Sequence, residues 1–304
     1  MLNKTTSVTG IIVLYNPDFF ALKKLVDSIN HQLDRVIFVD NSIDENVEDM
    51  VEEICSIYNE LNFIYEKMRH NIGIARAQNQ GIKIALEKNS THVLLLDQDS
   101  VLPTNMVEIL INEESKLIAA GKKVAAIGPS FLDIKTNQVT GAVFITPFYK
   151  KISKDKSEVE ATDYLIASGT LIRSHVIDIV GGMDEDFYID FVDIEWCERS
   201  RTYGYQCFVV PFLLMKHSIG NGNKHMFGKN VILHSDFRHY YVVRNMIHLI
   251  LRKNIILRHK LYLLFRLPLF IFVHTIFSND KYAKVKIFKN ATIDAIKNRM
   301  GKRL

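Results

Sequence analysis

The segment Leu94-Leu95-Leu96-Asp97-Gln98-Asp99-Ser100 sets two carboxylates one residue apart at the end of a very apolar run. In an extended chain, residues i and i+2 point to the same face, so Asp97 and Asp99 would stand side by side. Like charges at the mouth of a buried strand repel unless a cation lies between them. Mg²⁺ or Mn²⁺ suits such oxygen ligands and keeps waters and substrate phosphate oxygens in its shell. The cation would then offset charge on a departing diphosphate. Taken alone, the pair is equally a solvated strand end capped by acids. Two further apolar runs end in polar groups: VTGIIVLY is followed by Asn16-Pro17, and RVIFVD is closed by Asp40-Asn41-Ser42.

These residues need strands to carry them, and the hydrophobic pattern supplies four. Residues 8–15, RVIFVD, LNFIYE and HVLLLD read as buried strands. Between them, residues 18–33 and 44–59 and the segment NIGIARAQNQGIKIALEK carry apolar positions at helical spacing. Strands alternating with helices imply right-handed βαβ units and a parallel sheet, an α/β fold. Ligands bind such sheets at the carboxyl ends of the strands, which is where Asn16, Asp40, Asp97 and Asp99 fall. Beyond residue 120 the pattern is mixed. Strands are expected near VAAIGPSF, AVFIT and YLIASGTLIRS, and a helix around His175 to Val180. A second helix is expected in the latter half of FYIDFVDIEWCERSRTYGY, and QCFVVP and LLMKHSIG read as two more strands.

The 304 residues suit one large domain with an appendage, and 48% apolar content provides ample core. Three cysteines without paired spacing argue against a disulfide framework or a structural zinc site. MLNKTTSVTG lacks the layout of a signal peptide. The net charge of +4 hides an asymmetry: residues 246–304 hold 13 Lys or Arg and 2 acids, a net of +11, leaving −7 for the rest. The basic tail is also greasy, with Leu261 to Phe277 interrupted by Arg266, Pro268 and His274. That run is short and broken for a spanning helix. It suits a helix lying in the interface of an anionic leaflet, or a buried or dimer-contact helix. Nucleic acid is a poor partner for so apolar a tail attached to so acidic a site. The expected division is 1–245 as a catalytic domain, in halves 1–100 and 101–245, and 246–304 as a membrane-associating helical tail.

The pieces IIVLYNP, FVDNS, NIGIARAQNQGI, LLLDQDS, SGTLIRS, GGMDEDFYIDFVDIEWCER, HSIG and RHYYVVRN occur in one order over roughly residues 8–250. As a set they resemble family 2 glycosyltransferases of the GT-A fold, in the bacterial rhamnosyltransferase-like branch. The resemblance implies an inverting, metal-dependent transfer from a nucleoside-diphosphate sugar, dTDP-L-rhamnose or a UDP-sugar, to a lipid-linked saccharide. It places such an enzyme peripherally on the cytoplasmic face of the bacterial inner membrane. It assigns the nucleoside to Tyr15, Asn16 and Asp40, and further donor contacts to Asn71, Gly73, Arg76, Asn79, Asp97, Arg238 and Arg244. Arg76 would pair with a phosphate, and Gly73 would let backbone approach the ligand. The metal (Mn²⁺ or Mg²⁺) falls to Asp99 and His217, and the general base to Asp193, with Asp190 and Glu195 as neighbouring candidates. Val192 stands where many relatives carry an acid before the base. Two other classes were weighed. A decayed sugar-nucleotide-binding scaffold is disfavoured by the intact acids. A nucleotidyltransferase would need a glycine-rich, basic first loop, which LYNPDFF lacks.

Overall fold

A computed structural model describes residues 6–43, 46–58, 61–133, 138–153, 157–217, 223–226, 229–232 and 235–303. The first half alternates as the pattern requires: β1 (Val8–Leu14), α1 (Phe19–Ile29), β2 (Arg35–Asp40), α2 (Val47–Ser56), β3 (Phe63–Lys67), α3 (Ile74–Glu87), β4 (His92–Asp97) and α4 (Met106–Ala119). There follow β5 (Val124–Asp133), β6 (Gln138–Thr140), β7 (Val143–Ile145), β8 (Lys150–Ile152), β9 (Glu160–Thr162), β10 (Thr170–Arg173) and α5 (Ser174–Val180). Then come α6 (Val192–Thr202), β11 (Gln206–His217), β12 (Asn223–Met226), β13 (Lys229–Ile232), α7 (Asp236–Leu251), α8 (Leu257–Ile276) and α9 (Lys281–Ile296).

The central sheet runs β3-β2-β1-β4-β10-β5-β11-β9, with β6 added on β5. The four early strands are mutually parallel, as is β5 with β11; β10 is antiparallel to both its neighbours. The strands are apolar on both sides because helices cover both sides. Ile12, Leu14, Leu94 and Leu96 pack with Leu22, Leu25 and Val26 of α1, Val51 of α2 and Leu110 of α4. Ile11, Val93 and Leu95 face the other way, towards Ala75, Ala77 and Ile82 of α3 and Trp196 of α6. Each fully buried aliphatic side chain contributes about 1.5–3 kcal/mol relative to exposure. Gly81 lets α3 lie close on the sheet, since a Cβ there would come 2.5 Å from Ile11 Cγ2.

Two expectations change. QCFVVP and the LLMKH of LLMKHSIG are one strand, β11, whose register against β5 shifts between Val210 and Leu214; the rest of that segment lies outside the described residues. The shift absorbs Pro211, which has no N–H to give a ladder. The boundary expected at 245/246 falls inside α7. The tail is fastened to the rest through that helix: Tyr240, Tyr241 and Val243 share a core with Phe288 and Ala291 of α9 and with Phe270 and Ile271 of α8. The chain end returns too, with Gly301 N donating to Asp186 O (2.9 Å) and Arg303 N to the Tyr241 hydroxyl (2.9 Å).

Candidate active site

The carboxyl ends of β1, β2 and β4 meet at one edge. Tyr15 N donates to Gln98 Oε1 (2.8 Å), and Gln98 Nε2 donates back to Tyr15 O (3.2 Å), so the β1 and β4 ends are tied together. Beyond Asp97 the chain turns, with Ser100 N donating to Asp97 O (3.0 Å). The Ser100 hydroxyl accepts from Asp97 N (3.1 Å) and shares a hydrogen bond with Ser168 (2.6 Å). This locks the strand end to the loop before β10. The turn overturns the side-by-side placement expected of an extended Asp-x-Asp. Asp97 is half-buried and lines a cleft of about 370 Å³, whereas Asp99 is exposed at the turn.

The opposite wall is the segment from Met183 to Asp193. Tyr188, Asp190 and Phe191 have φ of 53°, 64° and 67°. Three non-glycine residues in this region cost about 1–3 kcal/mol each and persist only where the surroundings hold them. The surroundings do hold them. Asn245, fully buried on α7, places Nδ2 within 3.0, 2.8 and 2.9 Å of the carbonyls of Phe187, Ile189 and Asp190. Tyr188 O accepts from Ile74 N (2.7 Å), its hydroxyl donates to Asn71 Oδ1 (2.9 Å), and its ring stacks on Tyr241 at 5.0 Å.

This loop delivers Asp193 into the first turn of α6, facing the cleft. Its carboxylate accepts from Ile194 N (2.8 Å) and Ala167 N (3.2 Å). Burial pushes its pKa up to about 6, the nearby charges of Asp190 and Asp97 add to the rise, and the two backbone donors moderate it. A carboxylate so poised is ionised at neutral pH yet more basic than an ordinary aspartate, which suits proton removal from an alcohol. Asp190 is held by a two-point ion pair with Arg238, at 2.5 and 3.2 Å, on the same wall. Glu195 is fully buried and paired with Arg199 (3.0 Å) and Arg252 (3.0 Å), so it serves the fold rather than the cleft.

Residues 10–177 match the family model described as glycosyl transferase family 2. A curated relative, dTDP-rhamnosyl transferase RfbF of Shigella flexneri, is 32% identical over 97% of each chain. The chain belongs to glycosyltransferase family 2. Solved structures place the fold among GT-A enzymes. The mannosyltransferase PcManGT from Pyrobaculum calidifontis, in complex with GDP-Man and Mn²⁺, superposes with a TM-score of 0.58 at 15% identity, over 96% of this chain and 76% of that one. TarS 1-349 of S. aureus, in complex with UDP-GlcNAc, gives 0.58 at 18% identity, over 96% and 81%. GalNAc-T7 with UDP, GalNAc and Mn²⁺ also gives 0.58 at 16% identity, over 73% of this chain; the chain spans 44% of that protein's length.

Several residues assigned by resemblance to this glycosyltransferase's donor make contacts within the protein. Asp40 is 0% exposed, and its oxygens accept from Ser42 N (2.9 Å) and the Tyr65 hydroxyl (2.6 Å). Asn71 Oδ1 accepts from Asn41 Nδ2 (3.1 Å), Gly73 N (3.0 Å) and the Tyr188 hydroxyl, which makes it a hub for the strained loop. Gly73 (φ 89°) makes room for Tyr188, because a Cβ would lie 2.5 Å from Tyr188 Cδ2. Asn79 exchanges hydrogen bonds with the Met183 backbone (2.9 and 2.7 Å), and Arg76 pairs with Glu185 (2.7 Å) outside the cleft lining. Arg244 is 0% exposed and donates to the carbonyls of Gly301 (2.6 Å) and Asp186 (3.1 Å), tying the chain end to the 183–193 wall. Tyr15 and Asn16 are exposed at the rim, and Asn16 has φ 45°. His217 ends β11, and its side chain lies outside the described residues.

Among the described residues, no three His, Cys, Asp or Glu side chains converge tightly enough to cage a metal. The donor set nonetheless fits Mn²⁺ or Mg²⁺, which are held by one or two carboxylates together with substrate phosphates. Asp97 lines the cleft, and Asp99 is exposed on the turn two residues on. Sequence reasoning passed over Gln98, which ties the strand ends, and Ser168, which lines the cleft. Gln98 sits inside the Asp-x-Asp motif and Ser168 inside SGTLIRS, so motif membership was the available signal.

Proposed function

We propose that this glycosyltransferase moves L-rhamnose from dTDP-L-rhamnose, with inversion, onto a lipid-linked glycan of a bacterial surface polysaccharide, at the cytoplasmic face of the inner membrane. The donor sugar follows the rhamnosyl relative. The observation that carries the chemistry is Asp193, a carboxylate with its pKa near 6 in a cleft whose facing wall bears Asp97.

The acceptor hydroxyl donates to the Asp193 carboxylate. Its oxygen attacks the anomeric carbon while the bond from that carbon to the diphosphate oxygen breaks, and the hydroxyl proton ends on Asp193. Ala167 N and Ile194 N keep the carboxylate aimed throughout. Asp97 and Asp99 would hold Mn²⁺ or Mg²⁺, which when bound offsets charge on the departing diphosphate. Arg238, engaged by Asp190, fixes the wall that carries the base.

A panel of dTDP- and UDP-sugars with Mn²⁺ tests this directly, read by thermal shift and by donor turnover. Ligands of the native state raise its melting temperature according to affinity. dTDP-rhamnose is expected to give the largest shift and to be consumed. A UDP-sugar outperforming it would move the donor assignment, and no donor turnover with any acceptor would favour a binding scaffold.

A further inference from the structure

Helix α8 is, among the described residues, the one helix long and apolar enough to cross a bilayer. Its inner face is committed to protein: His259 Nδ1 meets Glu198 (3.1 Å), and Phe270 and Ile271 pack in the core of the tail. Its outer face is not covered. Phe265, Leu269, Phe272 and Ile276 follow at steps of four, three and four, which places them in one stripe, and all are exposed.

The β7–β8 hairpin rises beside that stripe. Arg258 Nη1 donates to Ile145 O (3.2 Å), the Phe148 and Phe265 rings lie 5.0 Å apart, and the Lys150 ammonium stands 5.7 Å from the Tyr262 ring. At the hairpin tip Phe148 is 71% and Tyr149 59% exposed, followed by exposed Lys150 and Lys151. Two elements more than 100 residues apart in sequence therefore present one aromatic and aliphatic patch edged by cations. Soluble surfaces rarely leave so continuous a patch to water.

Charge chooses the occupant. Residues 257–304 hold 11 Lys or Arg against Asp280 and Asp294. A second copy docked by the same patch would bring like charges together, since a two-fold contact pairs a surface with itself. An anionic leaflet attracts them, and aromatic rings flanked by cations are the usual interfacial anchor. We propose that the β7–β8 hairpin and α8 form a single surface that seats the enzyme on an anionic bilayer, α8 lying in the interface and the hairpin tip serving as a second anchor. This rests on the reading of the acceptor as membrane-borne and deepens it. Lys150 also donates to the Tyr164 hydroxyl (2.7 Å), three residues before Ala167, whose N–H holds Asp193.

The test is flotation of the full chain with vesicles of equimolar phosphatidylglycerol and phosphatidylcholine, and with pure phosphatidylcholine vesicles. Wild type is expected to float with the anionic vesicles and to partition about tenfold less onto the neutral ones. Phe148→Ala with Tyr149→Ala is expected to weaken anionic binding about tenfold, as is Phe265→Ala with Phe272→Ala, at unchanged melting temperature. Wild-type binding by the hairpin variant overturns the proposal. So does a wild type that stays unbound, or a change in molar mass by light scattering when Phe265 and Phe272 are replaced. Turnover of dTDP-rhamnose with a soluble acceptor is expected to be equal in all variants. Its absence from wild type would count against the donor reading while leaving the vesicle result standing.

Discussion

The two walls of the cleft are built on different principles. The wall at the ends of β1, β2 and β4 is assembled from tight local turns, Ser42 N to Asp40 and Ser100 N to Asp97 O, tied across by Gln98 to Tyr15, Tyr65 to Asp40 and Ser100 to Ser168. The wall from Met183 to Asp193 is held in strained backbone by residues far away in the chain, Asn71, Asn79, Arg244, Asn245 and Gly301. A wall made of strand ends needs only the sheet. A wall that aims a base needs over-determination, because each left-handed residue would otherwise relax.

The comparison breaks most sharply at Asp193. Asp193→Asn keeps the shape and one of the two backbone hydrogen bonds, since Ala167 N and Ile194 N donate to different oxygens, and it removes the base; transfer is expected to fall at least about a thousandfold, within the range of general-base contributions. The variant is also expected to be more stable at neutral pH. Because burial raises the carboxyl from its ordinary 3.8 to about 6, the folded protein binds this proton more tightly than the unfolded chain does. Above pH 6 that difference opposes folding by about 2–3 kcal/mol. It shrinks as pH falls from about 6 towards 4, through protonation of the native carboxyl. Melting curves at pH 8 and pH 4.5 check the sign: the asparagine variant should lead wild type at the first and lose that lead at the second.

Next in size is Asn245→Ala. It leaves three loop carbonyls without their donor, and a loss of about 2–4 kcal/mol is expected, with kcat reduced more than the donor KM. A variant that lost donor affinity while keeping kcat would show that the loop serves the donor and not the base. Asp190→Asn acts more finely. It removes a negative neighbour of Asp193 and frees the charge of Arg238, so the acid limb of kcat/KM should move from near pH 6 to lower pH, by about one unit. A limb that stays in place would detach the observed titration from Asp193.

The same contrast explains what could be read in advance. The parallel half of the sheet was legible because apolar runs closed by Asn16, Asp40 and Asp97 carry their own periodicity and punctuation. Asp193 was singled out as the base by motif resemblance, and the fold sets it in the lining of the cleft. The contacts of Asn71, Gly73 and Asn79 with the 183–188 segment were not legible, because that segment lies more than 100 residues further on. Small and amide-bearing residues at a loop–helix junction look the same whether they cradle a phosphate or a strained turn. The exposure of Asp99 was missed for a local reason: Ser100 closes a turn where an extended chain was assumed.

Arg76 carries the smallest expected effect and the finest discrimination between the two accounts of its segment. Its guanidinium is 60% exposed and pairs with a Glu185 that is 41% exposed, so water screens the attraction and the pair contributes below about 1 kcal/mol. Asn79 makes its own hydrogen bonds to Glu185 (3.0 Å) and to Met183 on either side of its amide, so the loop keeps its anchor when Arg76 is gone. Arg76→Ala is therefore expected to leave the melting temperature within about 2 °C of wild type and the donor KM within about threefold. If Arg76 instead reached a donor phosphate, loss of a planar two-donor contact would raise the donor KM by tenfold or more, an energy of about 1.4 kcal/mol or above. Steady-state kinetics with the nucleotide sugar varied at saturating acceptor would then return this arginine to the donor and make the Glu185 pair a resting contact broken on binding.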